Sequence, residues 1–505
     1  VITGKAKRPS YLVITEEGCE VKPADKIWGK NTYEATRLIH HAEGREMDVM
    51  AIGPAGENLV PFSCISHYWL NRHGFAGRGG LGAVMGSKNL KAIGVKGTRK
   101  TQVADLDKLK KLVDSRKDLL LTGTAGLKRF GTPGLVNLIN EMGGLGTRNV
   151  QTEVCDKAEA ISGERMKDLF FKKDSTCFHC YLVCGKCFYI RDGKYAGTEW
   201  RMPEYETIYA LGTMLENYDP SAIIKANKLC DEMGLDTITM GVTLAFACEC
   251  FEKGIITTKE TRGRKLSFGD PDLIMDMIME TAYRKGFGDF LAKGSNRMAE
   301  ELGGEAKKYL YTVKGLEIPG HSARILKGMS IGYATGTRGG SHHDARPTLQ
   351  YSSEVDNTHI DGQPEFAVRT QNFTAVGDSL TQCRFAGERG FGGMLNENYT
   401  TMINAITGLD LSVDDIETIG ERICTLERSY NCREGIRRKD DILPYRVMNE
   451  PVPSGAHKGM HCPRKELDLM LDEYYQLRGW DKDGVPTKKR LKELGLEFVI
   501  PDLFR

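Results

Sequence analysis

Three cysteines in the run Cys177-Phe178-His179-Cys180-Tyr181-Leu182-Val183-Cys184 constrain this chain more than any other feature. Thiolates two and three residues apart on a turn can converge on one iron–sulfur cube, each binding a different iron. Such a cube takes a fourth ligand, which must come from elsewhere in the chain. Tetrahedral zinc is the rival reading, and the C-x2-C from Cys184 to Cys187 is what would feed it. The order is also the reverse of the C-x3-C-x2-C run of radical enzymes that use S-adenosylmethionine, which argues against that chemistry.

The 505 residues suffice for two to four domains with sizeable cores. A net charge of +2, with neither sign dominant, gives no pointer to nucleic acid or to an anionic membrane. Fourteen cysteines in so long a chain are not a disulfide scaffold, and scattered Cys19, Cys64, Cys155, Cys248 and Cys432 read as buried or free thiols of a reducing cytoplasm. No signal peptide is visible. The apolar run Gly241-Val242-Thr243-Leu244-Ala245-Phe246-Ala247-Cys248 is too short to span a bilayer and reads as a buried helix.

Residues 1–100 are rich in short strand candidates. Val1-Ile2-Thr3-Gly4 and Tyr11-Leu12-Val13-Ile14-Thr15 look like the middle of a sheet, so residues are expected to precede Val1. Residues 48–53 and 90–97 are further strands. Between them lies the densest glycine stretch, 74–88, containing Gly77-Arg78-Gly79-Gly80-Leu81-Gly82. Glycines let backbone N–H groups approach an anion, and arginine adds a charged fork. Neither a Walker loop nor a strand–G-x-G-x-x-G–helix unit is present, and a tight hairpin is the plain alternative.

From Asp105 the texture turns helical. Apolar spacing predicts a helix over 106–121, a glycine-broken connection over 123–134 and helix again from Leu135. Pro203 can start a helix with Glu204 and Glu206 in its first turn, where the dipole favours carboxylates. A helix over 220–233 ends at Gly234, a good C′ residue. It leads through Asp231-Glu232-Met233-Gly234-Leu235-Asp236. An acid at a helix C-terminus is disfavoured, so Asp231 needs a partner, while Asp236 can cap the next helix. Helices are expected over 271–285 and 289–302, with a loop over 253–267. A second glycine-rich region, 332–344, ends in Ser341-His342-His343-Asp344, and 346–365 read as a long loop. In Asp378-Ser379-Leu380-Thr381-Gln382-Cys383 the spacing Asp-x4-Cys echoes Asp-x4-Asp at 231–236. Helix returns over 399–437. The charge run 433–441 reads as a solvated or domain-bridging ion network. A last helix over 466–477 precedes Gly479-Trp480-Asp481.

Taken together, these motifs resemble the tungsten-dependent aldehyde:ferredoxin oxidoreductases over nearly the whole chain. The marks are Ile52-Gly53-Pro54-Ala55-Gly56-Glu57-Asn58, the 77–86 glycine stretch, the cysteine run, Pro203-Glu204-Tyr205-Glu206, the 231–236 turn, and Tyr474-Tyr475-Gln476-Leu477-Arg478-Gly479-Trp480. The resemblance implies an α+β fold: an N-terminal β-rich domain, partly missing here, followed by two mainly α-helical domains enclosing a buried metal–pterin site. The expected boundaries are 1–104 for the β-rich pterin-binding part, 105–315 for the helical domain with the cluster cysteines and first acidic motif, and 316–505 for the helical domain with the second motif.

The cofactors implied are tungsten or molybdenum between two pterin dithiolenes, a [4Fe–4S] cluster, and magnesium between the pterin phosphates. Cys177, Cys180 and Cys184 would ligate the cluster, with Cys383, from the second acidic motif, as fourth ligand. Asp231 and Asp378 would each seat one pterin, since an ionised carboxylate accepts both donors of a pterin edge. Leu235, Asp236 and Gln382 belong to the same cofactor contacts, and Gly77, Arg78, Gly79 and Gly80 would cradle a pterin phosphate. Glu206 would act as a base, His342 or its neighbour His343 as proton donor or oxygen-orienting group, and Tyr205 would line the pocket. His321 is a further candidate for the lining. The turn at 381–382 departs from the family pattern, with Thr and Gln where Gly and Leu are usual. Lys225 stands where some relatives place an iron-binding glutamate, so no shared iron is expected. The implied activity is cytoplasmic oxidation of small aldehydes, with electrons passing to ferredoxin or an iron–sulfur subunit, in a homo- or hetero-oligomer. Two alternatives stand beside it: reduction of an aromatic coenzyme A thioester, and a metal-stabilised binding protein without turnover.

Overall fold

The computed structural model describes residues 1–69, 72–351 and 356–504. Residues group by internal packing into two units, one of Val1–Lys100 with Arg129–Tyr311, the other of Thr101–Lys128 with Thr312–Arg505.

In the first unit, short alternating segments build a six-stranded mixed sheet. Its strands are β1 (Ser10–Ile14), β2 (Cys19–Pro23), β3 (Asp48–Ile52), β4 (Ile65–Trp69), β5 (Arg72–Ala76) and β6 (Leu90–Val95), in the order β2-β1-β6-β3-β4-β5. Only the β1–β6 pair is parallel. Tyr11, Val13, Val49, Ala51 and Ala92 turn inward and pack with Ala35 and Ile39 of helix α1 (Thr32–Glu43), which Asn31 caps through the Glu34 amide. Val1–Gly4 form no strand; four residues with no partner strand cannot satisfy their own ladder. The glycine stretch is not a hairpin. It leads from β5 through a loop into helix α2 (Leu81–Ser87).

Behind the sheet come the helices that carry the site residues. Helix α3 (Tyr205–Leu211) packs on α5 (Thr237–Glu252), and α4 (Pro220–Met233) precedes α5. Every residue of α5 from Ile238 to Cys250 is buried, so its long apolar run is a core helix. A Cβ at Gly241 would lie 2.3 Å from the Ala210 carbonyl oxygen. The bare glycine therefore sets how closely α5 approaches α3. No helix among the described residues is long and apolar enough to cross a membrane.

The second unit is mainly helical. Helix α6 (Gln363–Ser379) lies against α7 (Val413–Arg433) and α8 (Arg464–Arg478). A Cβ at Gly420 would sit 2.8 Å from the Asn372 backbone, and Phe373, Val376, Tyr399, Ile403 and Ile416 form the apolar core. Helix Leu106–Gly123 belongs to this unit. The connection after it holds a short helix, Ala125–Phe130, and the segment expected as one helix over 289–302 is two, Gly288–Leu291 and Ser295–Leu302. The stretch 346–365 contains a helical turn, Pro347–Gln350, and the start of α6; its residues 352–355 lie outside the described residues.

The charge run 433–441 is not simply solvated. Asp441 is fully buried, paired with Lys314 and Arg428 and hydrogen-bonded by the Tyr475 hydroxyl. Burial alone would raise its pKa, but the two cations hold it below the ordinary carboxylate value.

Candidate cofactor and catalytic site

The cysteine run occupies the excursion between two antiparallel strands, β7 (Phe171–Asp174) and β8 (Lys186–Tyr189). The Ser175 amide donates to the Gly185 carbonyl at 2.9 Å and closes its root. His179 and Val183 adopt left-handed φ of 51° and 49°, and these turns separate the three cysteines. The buried ammonium of Lys186 donates to the Val183 carbonyl at 2.6 Å and pairs with Asp174, so a positive charge lies at the foot of the run. Gly131 packs against it: a Cβ there would meet the Cys184 carbonyl at 2.8 Å. Cys177 is exposed, and Cys180 and Cys184 are half-buried. Cys187 lies on β8 instead, 3.7 Å from a Glu199 carboxylate oxygen, and burial followed by that carboxylate pushes its thiol pKa up, against thiolate formation. Among the described residues no three His, Cys, Asp or Glu side chains converge as they would around a single metal ion. Cubane ligands do not need to, since each binds its own iron.

The first acidic turn is zipped to the sheet domain. The Cys64 amide donates to the Gly234 carbonyl at 2.8 Å, the Asp236 amide donates to the Phe62 carbonyl at 3.0 Å, and Ser63 bridges Leu235. Gly53 makes this fit possible, because a Cβ there would lie 2.3 Å from the Met233 oxygen. Asp231 has the partner that its place near the C-terminus of α4 demands. Its Oδ2 accepts from Trp200 Nε1 at 2.7 Å and Arg201 Nε at 2.6 Å, and its Oδ1 accepts from Arg201 Nη2 at 2.8 Å. These three donors fill three of about four acceptor positions of a carboxylate, so Asp231 offers a ligand one position rather than two. The thiols of Cys64 and Cys230 are pushed up by burial first and by Asp231 next, which disfavours their thiolate forms.

Asp236 caps α5 through the Ile238 amide at 3.0 Å and also accepts from Thr239 and from Arg78 Nε, at 2.7 and 3.0 Å. Arg78 and Asp236, read separately in the sequence, are thus one unit in which the carboxylate orients the guanidinium fork. The glycines beside Arg78 differ in purpose. Gly80, at φ 75°, and Gly82 allow backbone contact, with Cβ positions 2.1 Å from the Pro61 oxygen and 2.6 Å from the Cys64 oxygen. Gly77 has nothing nearer than 3.8 Å, and Gly79, at φ 90°, faces open space. Successive positive-φ amides at Gly79 and Gly80 beside an oriented arginine are suited to an oxyanion such as phosphate.

Thr132 sets the start of α3. Its hydroxyl accepts from the Tyr205 amide at 2.9 Å and donates to Glu204 at 2.5 Å. Glu204 is thereby a structural carboxylate, while half-buried Glu206 follows in the first turn and Tyr205 is buried. Thr132 lies 72 residues from Glu204 in the chain, and no local signal marks it.

In the second unit Asp378 lines a cavity of about 320 Å³ with Arg338, Asp344, Thr374, Gln371 and Trp480. Asp378 pairs with Arg384 and lies 3.9 Å from Arg338, which bonds Asp344 at 2.6 Å. Burial pushes the carboxyl of Glu427, also in the lining, up. Gln382 follows Thr381 in the turn, and Cys383 is the exposed N-cap residue of the short helix Arg384–Gly390. His342 and His343 are half-buried and open a single helical turn, with ring centroids 4.4 Å apart. His342 lies 5.7 Å from the ring of His321, whose Nδ1 meets the Tyr351 hydroxyl at 2.8 Å. Nothing in the spacing of Arg338 and Asp344, which line the cavity, or of Tyr351, which meets His321, sets them apart in the sequence.

Within the first unit the glycine cradle and its oriented arginine suit a phosphate; within the second, the cavity beside Asp378 is polar with an aromatic edge. Comparison with known proteins shows the family. The profile for the aldehyde ferredoxin oxidoreductase N-terminal domain matches residues 1–97, and that for domains 2 and 3 matches residues 110–496. The tungsten-containing aldehyde ferredoxin oxidoreductase of Pyrococcus horikoshii is 40% identical, covering 98% of this chain and 81% of that protein. Its namesake from Pyrococcus furiosus is 39% identical, covering 98% and 81%. An aliphatic sulfonate oxidoreductase, WOR-like subunit, also from Pyrococcus furiosus, is 32% identical over 98% of this chain and 80% of its own. Among solved structures, a chain of the BamBC active-site complex of benzoyl coenzyme A reductase with 1,5-dienoyl-CoA superposes with a TM-score of 0.80 at 24% identity, covering 98% of this chain and 81% of that one; this likeness is one of fold. With domain profiles spanning both ends and such relatives along nearly its full length, the chain belongs to the aldehyde ferredoxin oxidoreductase family.

Proposed function

We infer that this protein oxidises aldehydes to carboxylic acids at a tungsten–bis-pterin centre served by a [4Fe–4S] cluster. The observation that carries the reading is the 40% identity to a tungsten-containing aldehyde ferredoxin oxidoreductase over 98% of the chain. Balanced, an aldehyde and a water give a carboxylic acid, two protons and two electrons. When bound, the metal–pterin centre would supply two-electron redox chemistry and the cluster a one-electron relay; the protein supplies binding, orientation and field.

Each side chain then has a task. Cys177, Cys180, Cys184 and Cys383 are the cluster ligands. Their support is the shared motif and a hairpin excursion with a buried lysine at its foot. Asp378 accepts from the donor edge of one pterin, and Asp231 contributes its remaining acceptor position to the other, with Leu235 and Gln382 beside them in the turns. Arg78, oriented by Asp236, and the amides of Gly77, Gly79 and Gly80 would hold a pterin phosphate, whose charge magnesium would help neutralise. Glu206 takes a proton from the attacking water or the aldehyde carbon. His342 donates to the substrate oxygen and orients it, with His321 and Tyr351 behind it, and Tyr205 closes the pocket wall. Electrons leave to ferredoxin or an iron–sulfur subunit in the cytoplasm.

The test is anaerobic purification from tungstate-supplemented cells, followed by elemental analysis and dye-linked oxidation of small aldehydes. Tungsten-dependent turnover is expected. Protein that carries tungsten, pterin and iron yet leaves aldehydes untouched would sink the substrate assignment.

A further inference from the structure

Position 186 is an unusual place for a lysine. Strand β8 alternates buried and half-buried residues, so Lys186 turns to the same face as Phe188, with the two residues 2% and 1% exposed. An apolar side chain would fill that place at no electrostatic cost. Burying an ammonium there is unfavourable unless acceptors surround it.

The acceptors it finds belong to the two ends of the cysteine excursion. Its Nζ donates to the Val183 carbonyl at 2.6 Å, lies 3.5 Å from the Gly185 carbonyl, and pairs at 3.1 Å with Asp174, its direct cross-strand neighbour. The three donors of the ammonium are thus matched by three oxygens. One side chain ties the strand that enters the excursion to the segment that leaves it. Because a peptide group is planar, holding the Val183 oxygen also fixes the amide of Cys184, the third thiol of the run.

The charge is not cancelled at the same depth. Lys91 and Lys314 are buried too, and each faces a carboxylate that is itself buried, Glu57 and Asp441. The Asp174 side chain is instead 51% exposed, against 1% for that of Lys186. Water screens the carboxylate more than the ammonium, so a net positive field remains inside the hairpin that carries the thiols.

We propose that Lys186 tunes the reduction potential of the iron–sulfur cluster. The proposal rests on the cluster reading above. Uptake of one electron released by aldehyde oxidation adds one negative charge to a centre already bound by thiolates, with no bond made or broken and no proton taken up. A buried cation beside the ligand run stabilises that added charge, and cluster potentials follow net charge, hydrogen bonding and exposure. Lys186 therefore raises the potential and favours electron transfer out of the active site. It acts through the loop and its field, so it is a positioning residue rather than a catalytic one.

The test is a mediator-poised redox titration of the whole protein, purified anaerobically. The reduced cluster is followed by electron paramagnetic resonance, and iron is counted in the same sample. Lys186→Gln keeps an N–H for the Val183 carbonyl and removes the charge. Its midpoint should fall by about 59 mV, a tenfold change in the one-electron equilibrium, at full iron content. Lys186→Arg keeps the charge and should stay near wild type. Asp174→Asn removes the partial counter-charge and should move the midpoint the other way. A purely structural staple would not give opposite shifts at the two members of one ion pair. A glutamine variant with full iron and the wild-type midpoint overturns the proposal. If that variant assembles no cluster, Asp174→Asn decides, and a midpoint that is unchanged or lower overturns the proposal. Wild-type protein without a [4Fe–4S] signal removes the functional reading and the proposal together; a wild-type cluster indifferent to both substitutions removes the proposal alone.

Discussion

The two acidic turns share a backbone and little else. In the first, the Gly234 amide donates to the Asp231 carbonyl and the Leu235 amide to the Cys230 carbonyl; in the second, Thr381 donates to Asp378 and Gln382 to Gly377. The left-handed residue falls in the same place, Gly234 at φ 75° and Thr381 at φ 52°. Around this common frame the carboxylates live differently. Asp231 is 2% exposed and already clamped by Arg201 and Trp200, whereas the Asp378 side chain is 54% exposed at the edge of a cavity. The sixth position is Asp236, which caps a helix and orients Arg78, in one turn, and the exposed thiol of Cys383 in the other. The first carboxylate is buried and already bound by three donors; the second is largely exposed at a cavity edge.

The sharpest way to break this contrast is at the sixth position. Cys383→Ser should abolish the cluster, read as loss of iron and of visible absorbance, while Asp236→Ala should keep the iron and lose pterin through a loosened Arg78. Next comes stability. Asp231→Ala strands the Arg201 guanidinium and the Trp200 N–H in the interior and should cost about 3–5 kcal/mol in urea unfolding. The matching change, Asp378→Ala, removes a solvent-screened pair and should cost about 1 kcal/mol or less. Comparable losses at the two positions would erase the distinction.

The second unit should also show an acid limb of its own. Asp441 has its pKa held below the usual value by Lys314 and Arg428, against the effect of burial. A carboxyl with a depressed folded pKa contributes stability above its unfolded pKa of about 3.9 and loses it as pH falls through the folded value. Unfolding monitored by tryptophan fluorescence should therefore show a loss between about pH 4 and lower pH that Asp441→Asn removes, at a cost in neutral-pH stability. The smallest expected effect is at the turn itself. Thr381 is β-branched in a conformation that suits glycine, and Thr381→Gly should stabilise the protein by roughly 1 kcal/mol. Gly234→Thr should do the opposite and more, because a Cβ at Gly234 also lies 2.9 Å from the Gly53 amide nitrogen.

What the sequence disclosed follows from how local its signals are. Pro220 and Gly234 bound α4 because each acts on its own backbone, and an acid near that helix end announced its need for a partner. Which partner was not legible: Arg201 is brought to Asp231 by the packing of α4 beside the strand Glu199–Arg201, 30 residues back in the chain. Thr132 as the hydroxyl at the start of α3 was hidden for the same reason. The glycine stretch was ambiguous because open amides and close backbone contacts use the same residue; only the neighbours tell Gly79 from Gly80. The departure at Thr381 raised the question of turn geometry, and the hydrogen bonds answer it: the turn survives, with a side chain where glycine would be easier.

The account's central claim is that two acidic turns and four thiols together hold one tungsten–pterin centre and its cluster. The most direct test is the stoichiometry of anaerobically purified protein, with the metal identified at its X-ray absorption edge. About one tungsten or molybdenum, two pterins and four irons per chain are predicted. Protein with neither metal nor pterin, and with zinc on the cysteine run, would contradict it.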